Sequence, residues 1–132
     1  MFLFKRKKKD EDDEPVDLEA RSPVTGLKYK DIALLGEIMK TGTDITKPRH
    51  VLYYLYFGNR ENAEAGAIEG RTAGYTCEAR DPLPEYPDQW RLVCERPDAV
   101  LDIPTVREAD DLFQGIADRL GGEFDGWEAA AN

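Results

Sequence analysis

Two pairs of acids stand close enough along the chain to be weighed for chemistry: Asp110 with Asp111, and Asp125 with Glu128. Paired carboxylates are the least that general acid–base work or a divalent ion requires. Neither pair has the rest of the machinery. No nucleophile, phosphate-cradling glycine loop or histidine relay flanks them, and the single histidine, His50, has no partner spaced for zinc. Cys77 and Cys94 lack CxxC spacing and lie in strand-like runs, where a free thiol behaves as a small buried hydrophobe, so both are expected reduced and structural. The acids read as solvated residues on helix and strand edges. The expectation is no enzyme, no metal and no cofactor, which leaves binding as the mode of action.

Binding residues have to be placed by the elements that carry them. From Asp31 to Lys40, Ile32, Leu34, Leu35, Ile38 and Met39 recur at spacings of three and four, which predicts a helix capped at Asp31 and stopped at Thr41-Gly42. After Pro48 the run Val51-Leu52-Tyr53-Tyr54-Leu55-Tyr56-Phe57 is β-branched and aromatic, apolar on both faces, and predicts a central strand. Asn59 can cap a second helix over about residues 60–69, and Gly70 and Gly74 mark its exit. Strands follow over residues 75–80 and 89–95, joined by a loop stiffened by Pro82, Pro84 and Pro87. Asp102 and Pro104 open a last helix whose apolar face holds Val106, Ala109, Leu112, Phe113, Ile116, Ala117 and Leu120. A final strand carries Phe124-Asp125-Gly126-Trp127-Glu128.

Set aside the first helix and the order is βαββαβ, the split βαβ arrangement of ferredoxin-like folds. The fold class expected is therefore α+β: a four-stranded antiparallel sheet with helices on one face, preceded by an extra helix. Strict alternation sends Val51, Tyr53, Leu55 and Phe57 toward the helices and Leu52, Tyr54 and Tyr56 away from them. Applied to the last strand, with Phe124 inward, it sets Trp127 on the outer face too. Tyr54, Tyr56, Asp125, Trp127 and Glu128 are the candidate partner-binding residues, an aromatic surface bordered by acids that suits a protein partner. A second copy of the chain, or the first helix, is the alternative cover for that face.

Charge narrows the partner. The formal charge is −9, but residues 1–30 hold eight basic and seven acidic side chains, leaving ten basic and twenty acidic in the rest. So acidic a body repels phosphate backbones. The strand Gln89-Trp90-Arg91-Leu92-Val93-Cys94-Glu95 also lacks the glycine and basic pattern of RNA-stacking sheets. No direct nucleic-acid binding by the body is expected. No stretch nears the ~20 apolar residues of a membrane span, and Met1-Phe2-Leu3-Phe4 before Lys5-Arg6-Lys7-Lys8-Lys9 reverses the order of a signal peptide, so a cytoplasmic protein, monomeric or weakly dimeric, is expected. Residues 1–26 read as a disordered charged arm, basic then acidic through Asp10-Glu11-Asp12-Asp13-Glu14, and residues 27–130 as the folded domain.

The order of elements, together with Gly42 and Asp44 after the first helix, the Tyr53-Tyr54-Leu55-Tyr56-Phe57 strand, Gly74-Tyr75 and Asp125-Gly126-Trp127, resembles the ribonuclease E inhibitor family RraB. The resemblance spans about residues 31–130. It implies a ferredoxin-like domain that binds ribonuclease E, protein to protein, and lowers its cleavage of RNA. Well-known members carry an acidic C-terminal tail where this chain has Ala131-Asn132, and the basic N-terminal arm is an addition. The reading from another class is a ferredoxin-like domain that oligomerises or binds a small ligand and has no role in ribonuclease control.

Overall fold

A computed structural model describes residues 17–130 and the backbone of residues 3–5. The elements are β1 (Leu3–Lys5), α1 (Tyr29–Lys40), β2 (Arg49–Phe57), α2 (Arg60–Thr72), β3 (Thr76–Arg80), β4 (Trp90–Ala99), α3 (Ile103–Arg119) and β5 (Glu123–Ala130). Local chemistry accounts for the helix starts. The Asn59 side chain accepts from the Asn62 amide at 2.8 Å, and the Asp102 carboxylate accepts from the Thr105 amide at 2.9 Å, each satisfying a donor the first turn leaves open. At α1 the expected cap is displaced. The helix begins two residues earlier, at Tyr29, and Asp31 lies inside its first turn.

The sheet order is β1-β5-β2-β4-β3, antiparallel throughout. Its last four strands form the four-stranded antiparallel sheet of a ferredoxin-like domain, as the element order predicted. β1 adds a fifth strand at the edge, pairing Leu3–Lys5 with Ala130, Ala129 and Glu128.

The core lies between the sheet and the helices. Phe113 of α3 is fully buried, with its ring stacked on Tyr53 at 4.9 Å, edge-on to Tyr75 at 4.9 Å and 5.6 Å from Phe124. Leu34, Leu35 and Ile38 bring α1 into the same cluster. The first helix thus belongs to the helical layer and does not cover the opposite face. At the turn into β5, a Cβ on Gly122 would stand 2.4 Å from Phe57 Cδ1 and 2.6 Å from the Tyr56 carbonyl, so only glycine lets β5 start this close to β2.

Two expectations need revising. Part of the charged arm is built into the body. Ser22 and Leu27 close a turn with a 2.8 Å backbone hydrogen bond, Leu27 is buried in the core, and Arg21 reaches Asp111 at 2.7 Å on α3. Lys28 donates to Gln114 at 2.7 Å, clamping the same segment from its other end. Composition hid this because the segment is held by a few charged contacts and one leucine. The rest of the arm, residues 1–2 and 6–16 with most of both charge blocks, lies outside the described residues. Cys77 and Cys94 stand directly opposite each other on β3 and β4 and are joined as a disulfide, where free thiols were expected. Their spacing of 17 along the chain gives no hint of that register. The pair packs beneath Gly70, where a Cβ would lie within 3 Å of the Cys77 sulfur.

Candidate functional site: the outer face of the sheet

Burial along β2 alternates strictly, with Val51, Tyr53, Leu55 and Phe57 buried and His50, Leu52, Tyr54 and Tyr56 half-buried. The second set faces away from the helices, as the alternation predicted. Cross-strand register extends it into three rows running across the strands. Tyr56, Arg91 and Arg80 form one row, and Tyr54, Val93 and Glu78 the next. Leu52, Glu95 and Thr76 form the third, with Glu128 on the other side of Leu52.

Trp127 is not on this face. It pairs with Tyr53, is only 4% exposed, and its Nε1 donates to Asp31 Oδ1 at 2.9 Å on the helix side. The cause is a break in register between Tyr54 and Leu55: Tyr54 pairs with Gly126 and Leu55 with Phe124, so Asp125 is the extra residue of a β-bulge. Gly126 supplies the φ of +113° that the bulge uses. With one residue inserted, Phe124 and Trp127 both point inward although they are three apart, and Glu128 turns outward beside Leu52. Counting by twos from Phe124 puts Trp127 on the wrong side.

Of the predicted contacts, the structure groups Tyr54, Tyr56 and Glu128 on the outer face, with Asp125 at the bulge next to them. Burial, and then the adjacent Glu128 carboxylate, push the Tyr54 hydroxyl up to about 12. Tyr56 is raised by burial first and then by the charge of Asp125. Asp125 thus bears on Tyr56, and Glu128 on both tyrosines. Asp110 and Asp111 diverge: Asp111 points out to Arg21, whereas Asp110 is fully buried against Asp31. Burial, followed by the Asp31 hydrogen bond and charge, pushes Asp110 up to about 8, so this carboxyl is largely protonated at neutral pH. It is a buried carboxyl pair that Trp127 helps to satisfy, behind the sheet and away from the face.

Sequence reasoning missed the other half of the site. The loop carrying Pro82, Pro84 and Pro87 folds over the outer face and brings Leu83 and Tyr86 to the rims of a cleft of ≈ 230 Å³ floored by Tyr54, Tyr56, Arg80 and Arg91. Arg91 is locked by two hydrogen bonds from Nε and Nη2 to the Asp81 carbonyl, at 3.2 and 3.0 Å. Alternation on β3 and β4 carried the signal, because Arg80 shares the parity of Glu78 and Arg91 that of Glu95, and both acids pair into the outer rows. His50 Nε2 meets Glu95 Oε2 at 2.5 Å at the acidic end of the face.

Among the described residues no group of three or more His, Cys, Asp or Glu side chains is placed to hold a metal, and no helix is long and apolar enough to cross a membrane. The fold and face define a ferredoxin-like domain that presents an aromatic and charged sheet surface suited to contact with another macromolecule. Residues 28–129 match the family RraB, regulator of ribonuclease activity B, and the chain belongs to that family. Its members are regulators of ribonuclease activity rather than enzymes, which implies a protein partner. No curated protein matches the chain.

Proposed function

We propose that the chain binds a ribonuclease E-type endonuclease directly, in the cytoplasm, and lowers its cleavage of RNA by masking a surface of the enzyme. The observation that carries this reading is the outer sheet face. It holds two half-buried tyrosines and a cleft, and the three helices of the described chain all pack on the opposite side. Tyr54, Tyr56 and Asp125 are the contact residues. Glu128, only 9% exposed, acts by orienting Tyr54 more than by touching a partner. Trp127 supports the strand from behind. In a reducing compartment Cys77 and Cys94 occupy the same opposed positions as two packed thiols.

Calorimetry of the purified chain with ribonuclease E from the same source, at two salt concentrations, tests the proposal. Micromolar or tighter binding, weakened about tenfold or more by Tyr56→Ala and accompanied by slower cleavage of a structured transcript, is the expected result. No binding at either salt overturns it. Sedimentation of the chain alone guards the interpretation, because a tight dimer closed over this face leaves no room for the nuclease there.

A further inference from the structure

The three rows of the outer face differ in charge in a regular order. At one end Arg91 and Arg80 stand directly opposite each other beside Tyr56. In the middle are Tyr54 and Val93 with Glu78 on the β3 side, and at the far end Glu95, which meets His50 at 2.5 Å, lies beside Leu52 with Glu128 on the other side of that leucine, so the rows pass from basic to acidic. Like charges placed directly across a strand pair are destabilising. Here the geometry keeps them together: the Asp81 carbonyl holds Arg91, while Arg80, 45% exposed, has the exposed Glu78 carboxylate at 3.4 Å. An exposed ion pair of that kind contributes little. Both arginines line the cleft together with Tyr54, Tyr56, Leu83 and Tyr86. A local conflict retained at the floor of a cleft is the mark of a surface shaped for a ligand.

From this geometry we infer that the face binds a linear partner segment whose side chains run acid, large apolar, basic. The acid sits on Arg80 and Arg91, the apolar side chain on Tyr54 and Val93 beneath Leu83, and the basic one on Glu95. Alternate residues on a strand are about 7 Å apart, so the rows are spaced as the i, i+2 and i+4 side chains of an extended chain are. A segment laid along β2 thus meets all three rows at once. The inference rests on the outer face being the docking surface, and it names what that surface recognises. The net charge of the body alone points to a basic partner; the arginine row makes a uniformly basic segment a poor fit at one end and a uniformly acidic one a poor fit at the other.

The test uses three blocked peptides of equal length carrying phenylalanine between two charged residues at alternate positions: glutamate and lysine, two glutamates, or two lysines. Each is titrated into the full chain and followed by amide chemical shifts. The mixed peptide is expected to bind about tenfold more tightly than either uniform one and to shift Leu52, Tyr54 and Arg80. In Arg80→Glu, an exposed position whose fold is checked by circular dichroism, the preference should move to the two-lysine peptide. Equal affinity for all three peptides, preference for the two-lysine peptide in the wild-type chain, or tighter binding of a ten-nucleotide uridine strand than of the mixed peptide overturns the inference. The proposed nuclease contact is measured separately. Nuclease binding that Arg80→Glu leaves unchanged sinks the charge-row inference alone. Mixed-peptide selectivity without nuclease binding sinks the nuclease reading alone.

Discussion

Tyr53 and Tyr54 are neighbours of the same chemical type on one strand, yet they belong to different parts of the molecule. Tyr53 is 3% exposed, stacks on Phe113 and meets Tyr75 edge-on at 5.3 Å. Tyr54 is half-buried on the opposite face, with Val93 and Gly126 as its strand partners. Behind the sheet the aromatic rings pack on one another and on apolar side chains of α1, α2 and α3, with charges at the margin: Lys28 and Lys30 over Phe124, Arg96 over Tyr75, and Asp31 on Trp127. In front, the two tyrosines are flanked by charges across the strands, and one of those charges is opposed by its like. The inner face is organised for stability, the outer face is the one proposed for contact, and a one-residue bulge decides on which side Trp127 lies.

The largest effect should come from the inner face. Trp127→Ala removes a buried ring and leaves Asp31 without its indole donor, so it is expected to destabilise the fold by about 3–5 kcal/mol in chemical denaturation. Tyr56→Ala, on the outer face, should cost less than about 1.5 kcal/mol in the same experiment while weakening partner binding about tenfold. If the Tyr56 variant proved the less stable of the two, the division between faces would fail.

A pH series sharpens the same contrast. Asp110 keeps its proton in the folded state up to about 8 and loses it at 3.8 when unfolded. Across that window the folded state binds more protons than the unfolded state, so this group makes stability fall as pH rises, by at most about 1.4 kcal/mol per pH unit, and the loss levels off above the window. The neighbouring Asp31 carboxyl favours the protonated form, Trp127 donates to Asp31, and the charges of Lys28 and Arg21 oppose the shift in part. Asp110→Asn keeps the shape of the neutral acid and removes the proton. Denaturant midpoints between about pH 5 and about pH 8 should then fall less steeply than in the wild type. An unchanged slope would mean that Asp110 is ionised in the folded state.

The bulge can be tested directly. Gly126→Ala places a Cβ at a φ of +113°, which should cost about 1–3 kcal/mol. It should also disturb the near-ultraviolet signal of Trp127, since the bulge is what turns that ring inward.

These residues also show how far the chain can be read without coordinates. The βαββαβ order, the caps at Asn59 and Asp102 and the two faces of β2 follow from periodicities and cap chemistry confined to a few consecutive residues. Trp127 could not be placed in that way. Its side of the sheet depends on an extra residue opposite Tyr54 and Leu55, a property of the pairing of two strands about seventy residues apart. The Arg80–Arg91 juxtaposition and the Cys77–Cys94 pair depend on register in the same sense. Gly126, a glycine inside a strand pattern, was the available sign of a bulge. The packing of residues 17–28 was hidden for another reason, since Arg21 and Lys28 gain their long-range partners, Asp111 and Gln114, only once α3 is in place.

The smallest effect expected is confined to the outer face. Burial and the Glu128 carboxylate hold the Tyr54 hydroxyl up to about 12, above its ordinary 10.0. Because the folded value is the higher one, this tyrosine contributes stability that is present below about 10 and is lost as pH rises toward 12. Glu128→Gln removes the charge but leaves Tyr54 as buried as before, so the Tyr54 titration should move down only part of the way toward 10.0 when followed by its ring resonances. The carboxylate orients the hydroxyl as well as repelling its anion, so the same variant should weaken partner binding less than Tyr56→Ala does. A full return to 10.0 would show Tyr54 to be solvated, and an outer face with a solvated Tyr54 would lack the apolar middle row on which the acid–apolar–basic segment depends.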